Sequence, residues 1–589
     1  MCSIIGYFGK ENAAPIIVKG LKRMEYRGYD SVGVATESDH QIELKKGIGK
    51  VSEVNSKIQL DILPGKVGIG HTRWATHGKV TDANAHPHSS NSGRIAIVHN
   101  GIIENFEELK KQLESEGYYF KSDTDSEIIA NLIQKYYEKT QDVKETILKT
   151  VAKIKGHYAF VAMFENGQLA AARFHEPLII GVVGQNDFFL SSDVLGFIEY
   201  TDNVIYVENG NFVILDKDKF QIIDFNGEHA KYEIVKVSKE FGDAYKGDYA
   251  HFTLKEIYEQ HKTVLKAGER TIDAIEKAAD HIKHAKNIYI TGSGTSYNSA
   301  LIAKQILLKY IKIKSEPIMS SELQFAPNSI EDNSIMIAIS QSGESADVLE
   351  AVKIAKKAKC KTIAIVNLLT SSLARESDIV IGMNCGPEIG VAATKSFTTQ
   401  LVILYKIIQK LSDNNNKIDI DFVKISELIS GILKNPKKIQ RIANEIKDIS
   451  DIYVLGRGMH YPIAIEAALK LKELTYIHAE GIPGGELKHG PLALMDSNVF
   501  VIIINPNDST YLDTLTSARE IKARGAKIIG ISDIESDVYD FWIELPKSDE
   551  VGYPILEIIP IQLLAYYAAL EKNTDPDYPR NLAKSVTVK

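Results

Sequence analysis

The chain has 589 residues, enough for about three or four domains. Its 69 Lys and Arg against 77 Asp and Glu leave a net charge of -8, which argues against a broad nucleic-acid surface or an anionic-membrane binder. No uninterrupted apolar run reaches the roughly 18 residues of a membrane helix, and three scattered cysteines make no disulfide framework, so a soluble, cytoplasmic protein is expected.

At the start, Cys2 follows Met1, and loss of that methionine, usual before a small residue, would leave a free α-amine beside the thiol. An α-amine titrates at about pH 8, so it can take the thiol proton directly or through a water. Nucleophile and base would then share one residue. Downstream, short apolar strands such as 93–99 and 156–164 and a few helices, 125–137 among them, predict stacked sheets flanked by helices. Tyr26-Arg27-Gly28-Tyr29-Asp30-Ser31, Thr72-Arg73-Trp74-Ala75-Thr76-His77-Gly78, His99-Asn100-Gly101 and Ser122-Asp123-Thr124-Asp125 punctuate this region. The histidines at 71, 77, 86, 88 and 99 lie on several turns without the tight spacing or neighbouring cysteines of a zinc site.

A polar, Lys-rich stretch at about 236–249 leads into alternating strands and helices, the pattern of a parallel sheet. This second region repeats itself: the strand and glycine turn at 287–294 match those at 451–458, and 335–339 and 361–365 match 499–503 and 527–531. Two doubly wound domains in series are predicted. In the first copy, the strand 335–339 runs into Ser340-Gln341-Ser342-Gly343-Glu344-Ser345 and a helix over 346–357. Free N–H groups and small hydroxyls at a helix start suit a phosphate, and Gly292-Ser293-Gly294-Thr295-Ser296 ends an earlier strand in the same way. Simple helix capping would use the same residues. The second copy has lost most of these hydroxyls, which predicts one phosphate site per chain.

In that second copy, 466–473 reads as a helix that places Glu466, Lys470 and Glu473 on one face. A glycine-rich segment with many ionisable groups follows at 479–493, read as an active-site loop, and the chain closes on a basic tail at 579–589.

Cys2-Ser3-Ile4-Ile5-Gly6 and the four motifs of the first region resemble the glutamine amidotransferases whose mature N-terminus is a catalytic Cys. That resemblance implies that Arg73 grips the glutamine carboxylate and Asp125 its ammonium, with Thr76 and His77 helping. It also implies that Asn100 and Gly101 form the oxyanion hole and that Trp74 gates an ammonia passage. The helix, loop and tail, with Glu388-Ile389-Gly390-Val391-Ala392-Ala393-Thr394-Lys395 and Tyr249-Ala250-His251-Phe252, extend the resemblance over nearly the whole chain to the isomerising glutamine:fructose-6-phosphate aminotransferases.

The implied fold is a four-layer αββα N-terminal-nucleophile hydrolase domain over 2–238, a linker and lead-in helix over 239–270, and two doubly wound sugar isomerase (SIS) domains over 271–425 and 426–589. The implied sugar site has Lys584 forming a Schiff base with the ketose C2, Glu473 moving the proton between C1 and C2, and Lys470 and His489 serving ring opening and proton handling. His489 would come from the neighbouring subunit of a homodimer, while Thr295, Ser296, Ser340, Gln341, Ser342, Ser345 and Val391 hold the sugar phosphate. L-glutamine and D-fructose 6-phosphate would be substrates, ammonia would travel inside the protein, and no cofactor or metal is required. Ala393 stands where the family commonly has Ser. That departure leaves open another keto-sugar phosphate as acceptor; a sugar-phosphate sensor regulating a glutaminase is the further alternative.

Overall fold

The computed structural model describes residues 2–75, 78–184, 186–216, 219–237, 246–412 and 418–586, in two compact units, 1–243 with 585–589 and 244–584. In the first unit, strand alternation sends successive side chains to different cores. Along Ile95–Ile103, Ile95 and Ile97 pack with Phe160, Ala162 and Phe164, whereas Ala96 and Val98 pack with Ala159, Val161 and Met163. The antiparallel sheet that contains these strands therefore has two apolar faces. Its order is Lys219–Asp224, Asn211–Asp216, Leu169–Phe174, Gly156–Phe164, Ile95–Ile103, His88–Ser89. Helices Glu127–Thr140 and Val143–Val151 cover one face. The other meets an antiparallel sheet of eight strands whose central members are Phe188–Ser191, Ser3–Phe8, Val67–Arg73 and Ser31–Ser38. Helices Ala13–Arg23 and Val51–Ile58 close its far side. The layers run helix, sheet, sheet, helix, the αββα order expected.

The helix predicted over 125–137 spans Glu127–Thr140. Asp125 stays outside it because its carboxylate accepts the Ile103 N–H at 2.7 Å. Ser3 pairs with Thr72 in the eight-stranded sheet, a register that places Cys2 beside Arg73 and Trp74.

The second unit is built from parallel strands, named here in chain order. In the first copy β1 (Ile288–Gly292) leads into α1 (Thr295–Ile306), and β2 (Ile335–Ser340) into α2 (Ala346–Lys357). In the second copy β3 (Asp451–Gly456) leads into α3 (His460–Thr475), β4 (Phe500–Ile504) follows, and α4 (Tyr553–Glu571) comes last. Sheet orders correspond strand for strand: Glu316–Met319, β1, β2, Lys361–Val366, Ile379–Gly382 against His478–Pro483, β3, β4, Lys527–Ser532, Phe541–Glu544. The sequence repeat is thus a structural repeat.

One expectation is corrected. The first part of the segment read as a loop, His478–Pro483, is an edge strand, and two short 3-10 turns, Leu487–His489 and Pro491–Leu494, follow. Gly481, one of the glycines that suggested a loop, serves packing, because a Cβ there would lie 2.7 Å from the Ile465 backbone of α3. A single apolar core runs through both copies, with α4 in its interior. That helix is long and apolar enough to cross a membrane, but it is almost wholly buried, and burial on all sides is what an all-round apolar helix requires.

Candidate active sites

In the first unit the Cys2 thiol is held by the residue that follows the neighbouring strand Val67–Arg73. The Trp74 N–H donates to Sγ at 3.3 Å, and Sγ lies 3.5 Å from the Trp74 carbonyl. Burial pushes the thiol up, opposed by that N–H and by Arg73. The Cys2 carbonyl accepts from Asn100 Nδ2 at 3.2 Å and from Arg27 Nε at 3.3 Å. Arg27 is buried on Asp193, 3.1 Å away, and Tyr26 donates to the same carboxylate at 2.8 Å. The motif at 26–31 therefore anchors the Cys2 backbone.

Asn100 has its amide orientation fixed from behind. His71 Nε2 lies 2.9 Å from the His99 carbonyl and 3.2 Å from Asn100 Oδ1. Both are acceptors, so Nε2 carries the proton. The ring is neutral, because burial pulls His71 down to about 3. His71 stacks on His86 at 4.1 Å, and His86 meets His88 edge-on at 4.4 Å, so these rings pack on one another. Gly101 has φ +111, and a Cβ there would lie 2.0 Å from the His157 carbonyl, so only glycine can follow Asn100.

Arg73 is buried and donates to the Lys79 carbonyl at 3.3 Å; Asp125 and Asp30 are among the charges around it. Asp125 is buried close to the strand that carries Asn100, through the Ile103 N–H. Thr76 and His77 lie outside the described residues.

In the second unit, the predicted phosphate turns end β1 and β2, which pair as parallel neighbours, so both open at the same sheet edge. Ser345 stands at the N-cap of α2 without capping it; its Oγ lies 3.3 Å from Ser340 Oγ. Ser340 Oγ accepts the Gly343 N–H at 3.0 Å, and Ser342 Oγ accepts the Glu344 N–H at 3.2 Å. The hydroxyls shape the turn itself. Gly343, at φ +68, leaves room for Ser371, whose Oγ would lie 2.1 Å from an added Cβ. Gln341 is half-buried, and its carbonyl accepts the Asn367 N–H at 3.2 Å.

The other turn points at α3. Thr295 donates to Glu466 Oε1 at 3.0 Å and accepts from Lys470 Nζ at 3.2 Å, while Asn298 Nδ2 holds Glu466 Oε2 at 2.7 Å. Lys470 is also 2.6 Å from Glu473 Oε2 and 3.4 Å from Glu466 Oε1. Burial opposes its charge, but the two carboxylates outweigh burial and hold Lys470 above the usual lysine range. The predicted face is real and buried, and Glu473 is the member with some exposure, 20% of its side chain. Ser296 Oγ accepts from Gln400 Nε2 at 3.1 Å. His489 is exposed at the end of its 3-10 turn.

Lys584 is nearly buried, with its amine 2.6 Å from Glu388 Oε2 and 2.8 Å from the Gly390 carbonyl. Glu388 is held down at about 2 against burial, because Lys584, Ser396 Oγ at 2.7 Å and the Thr394 and Ser396 N–H groups at 3.0 Å all favour its anion. Val391 is buried, and its N–H donates to the Asp577 carbonyl at 3.1 Å. The Asp577 carboxylate accepts the Phe252 and Thr253 N–H groups at 2.9 and 2.8 Å, which anchors the start of the tail. The partnership of Glu388 with Lys584, and of His71 with Asn100, was not foreseen. Neither has a spacing signal, since 196 and 29 residues separate the partners.

Comparison with known proteins follows the same division. Residues 71–198 match the glutamine amidotransferase domain, and residues 281–409 and 445–572 match the SIS domain. The chain is 42% identical over 605 residues to a glutamine–fructose-6-phosphate aminotransferase (isomerizing) of Thermococcus kodakarensis and 44% identical over 598 residues to that of Pyrococcus horikoshii, in each case across the whole of both chains. Among solved structures it resembles the C-terminal domain of glucosamine-fructose-6-phosphate aminotransferase from Francisella tularensis. That match has a TM-score of 0.52 and 38% identity, covering 57% of this chain and all of the other.

Proposed function

The chain belongs to the isomerising glutamine–fructose-6-phosphate aminotransferases, and from that premise we propose how its residues divide the work. L-glutamine and D-fructose 6-phosphate are converted to D-glucosamine 6-phosphate and L-glutamate. Cys2, with Met1 removed, attacks the amide carbon, its own α-amine taking the thiol proton and returning it to the departing ammonia; water then hydrolyses the glutamyl thioester to free glutamate and the thiol. Asn100 Nδ2 and the Gly101 N–H meet the oxyanion, and Arg73 and Asp125 hold the two charged ends of glutamine, aided by Thr76 and His77. Trp74, whose backbone cradles the thiol, gates the ammonia released.

At the sugar site the phosphate rests on the turn Ser340, Gln341, Ser342 and Ser345, with Ser296 and Val391 nearby. Thr295 contributes its backbone N–H, since its hydroxyl is engaged by α3. Lys584 condenses with the ketose C2 to an imine, with loss of water. Ammonia adds to that imine carbon and displaces the Lys584 amine, which leaves free, and Glu473 carries the proton between C1 and C2. Lys470 fixes the Glu473 carboxylate. His489, exposed in its own subunit, acts across a homodimer. The chain works in the cytoplasm.

The observation that carries this reading is Lys584. A lysine five residues from the end of the chain is buried with its amine on a carboxylate, which a solvated tail would not require. Incubation with amide-labelled glutamine and fructose 6-phosphate tests it: label must appear in the amino group of glucosamine 6-phosphate. Label found only in free ammonia would reject the reading.

A further inference from the structure

His460 is fully buried, and the chemistry above makes no use of it. It opens α3. Its Nε2 shares a hydrogen bond with Asp508 Oδ2 at 2.8 Å, and its Nδ1 lies 2.7 Å from Glu557 Oε1 on α4. The Glu557 contact is not aligned as a hydrogen bond, and among the described residues neither Glu557 oxygen has a hydrogen-bond partner. The ring is thus the charge that this buried carboxylate faces. Burial pulls the imidazole down, but Glu557 and Asp508 outweigh it and hold His460 up at about 10. Asp508 is the better-held anion, with Oδ1 accepting the Thr510 N–H and hydroxyl at 2.7 Å each.

The repeat shows what this cluster replaces. His460 occupies the place of Ser296 in the first copy, and Asp508 that of Gly343, inside the turn after β2. Two turns that in the first copy present hydroxyls are, in the second, tied to each other by the protein's own carboxylate. The cluster also joins two halves of the sugar chemistry. α3 carries Glu466, Lys470 and Glu473, with Lys470 about 15 Å along the helix from His460. From α4, Gln562 Nε2 donates to the Thr394 carbonyl at 3.3 Å, and the Thr394 N–H donates to Glu388, the partner of Lys584.

We propose that His460, Asp508 and Glu557 form a positioning device that fills the second copy's own anion position and locks α3 to α4, holding Glu473 and Lys470 in register with Lys584. This rests on the sugar chemistry assigned above. His460 is a positioning residue and touches no substrate.

The test uses the full-length protein. His460→Ala is expected to lose about 100-fold in kcat for glucosamine 6-phosphate formation, the scale of a misplaced catalytic group. The KM for fructose 6-phosphate, borohydride trapping of the sugar on Lys584 and glutamine hydrolysis should stay native. Glu557→Gln is isosteric and leaves the His460–Asp508 pair intact, so it decides the matter if the alanine variant does not fold; it should show the same loss in kcat at unchanged KM. Native kcat per folded molecule in Glu557→Gln would overturn the proposal, and so would a loss of trapping in step with synthesis. Absence of trapping in the native protein would instead reject the Schiff-base reading beneath it.

Discussion

The Lys584 amine sits 2.6 Å from Glu388 Oε2, although 196 residues separate the two in sequence. Glu388 is completely buried and pinned by three further donors around Thr394 and Ser396, so the lysine is delivered to a fixed point. Lys584→Arg keeps a cation for Glu388 but cannot form an imine. It is expected to abolish glucosamine 6-phosphate formation while glutamine hydrolysis at Cys2 survives, which paired product and glutamate assays would read. Equal retention of both activities would remove the Schiff-base role.

On α3 the three ionisable groups Glu466, Lys470 and Glu473 separate by exposure. Glu466 and Lys470 are buried completely, and Glu473 alone reaches solvent. Glu473→Gln should cut amino-sugar formation by about 10² to 10⁴, the range of a lost general acid–base group. Fructose 6-phosphate should still be trapped on Lys584. Lys470→Met leaves Glu466 buried without its cation and should cost about 3–5 kcal/mol of stability, read as a shift in the denaturant midpoint.

The proposed oxyanion donor, Asn100, depends on His71 for its orientation. With His71 donating to Asn100 Oδ1, the Asn100 amide nitrogen must point toward Cys2. His71→Leu removes the constraint, and an amide turned over would present oxygen to a developing oxyanion. Glutaminase kcat should fall by about 10² to 10³ at unchanged KM for glutamine, the usual cost of one lost oxyanion donor. His71→Gln, which retains an N–H donor, should recover much of it. Unchanged kcat in the leucine variant would show that Asn100 is held by other contacts.

Legibility followed the range of the interactions. The strand over 156–164, the helix Ala346–Lys357 and the two-copy repeat are local or periodic, and each is found where the pattern placed it, while the strand read over 93–99 runs Ile95–Ile103. The common face of Glu466, Lys470 and Glu473 came from helical spacing alone. Failures came where tertiary packing set the conformation. Gly481 looked like loop chemistry but marks the close approach of α3 to an edge strand. No spacing announced that the Thr295 hydroxyl bridges Glu466 and Lys470 of the other copy. Such pairings need both partners in place, and one sequence names only the residues.

Glu256 offers a reading of the Ile389–Gly390 backbone by pH. Its Oε1 accepts the Ile389 and Gly390 N–H groups at 2.5 and 3.3 Å, next to the Gly390 carbonyl that holds Lys584, while Oε2 is buried with no hydrogen-bond partner among the described residues. Burial, and then the Glu388 charge, push this carboxyl from its ordinary 4.5 up to about 8. Between those values the folded chain keeps a proton that the unfolded chain has released, so this group's contribution to stability falls as pH rises through the window. Glu256→Gln preserves the accepted hydrogen bonds and has no proton to lose. Relative to the native protein it should therefore gain stability steadily across the window and hold that gain above it, as urea midpoints at about pH 5, 7 and 9 would record. A gap between the two proteins that stays constant with pH would mean that Glu256 is ionised throughout and that a neighbouring cation, Lys395 or Lys584, compensates it.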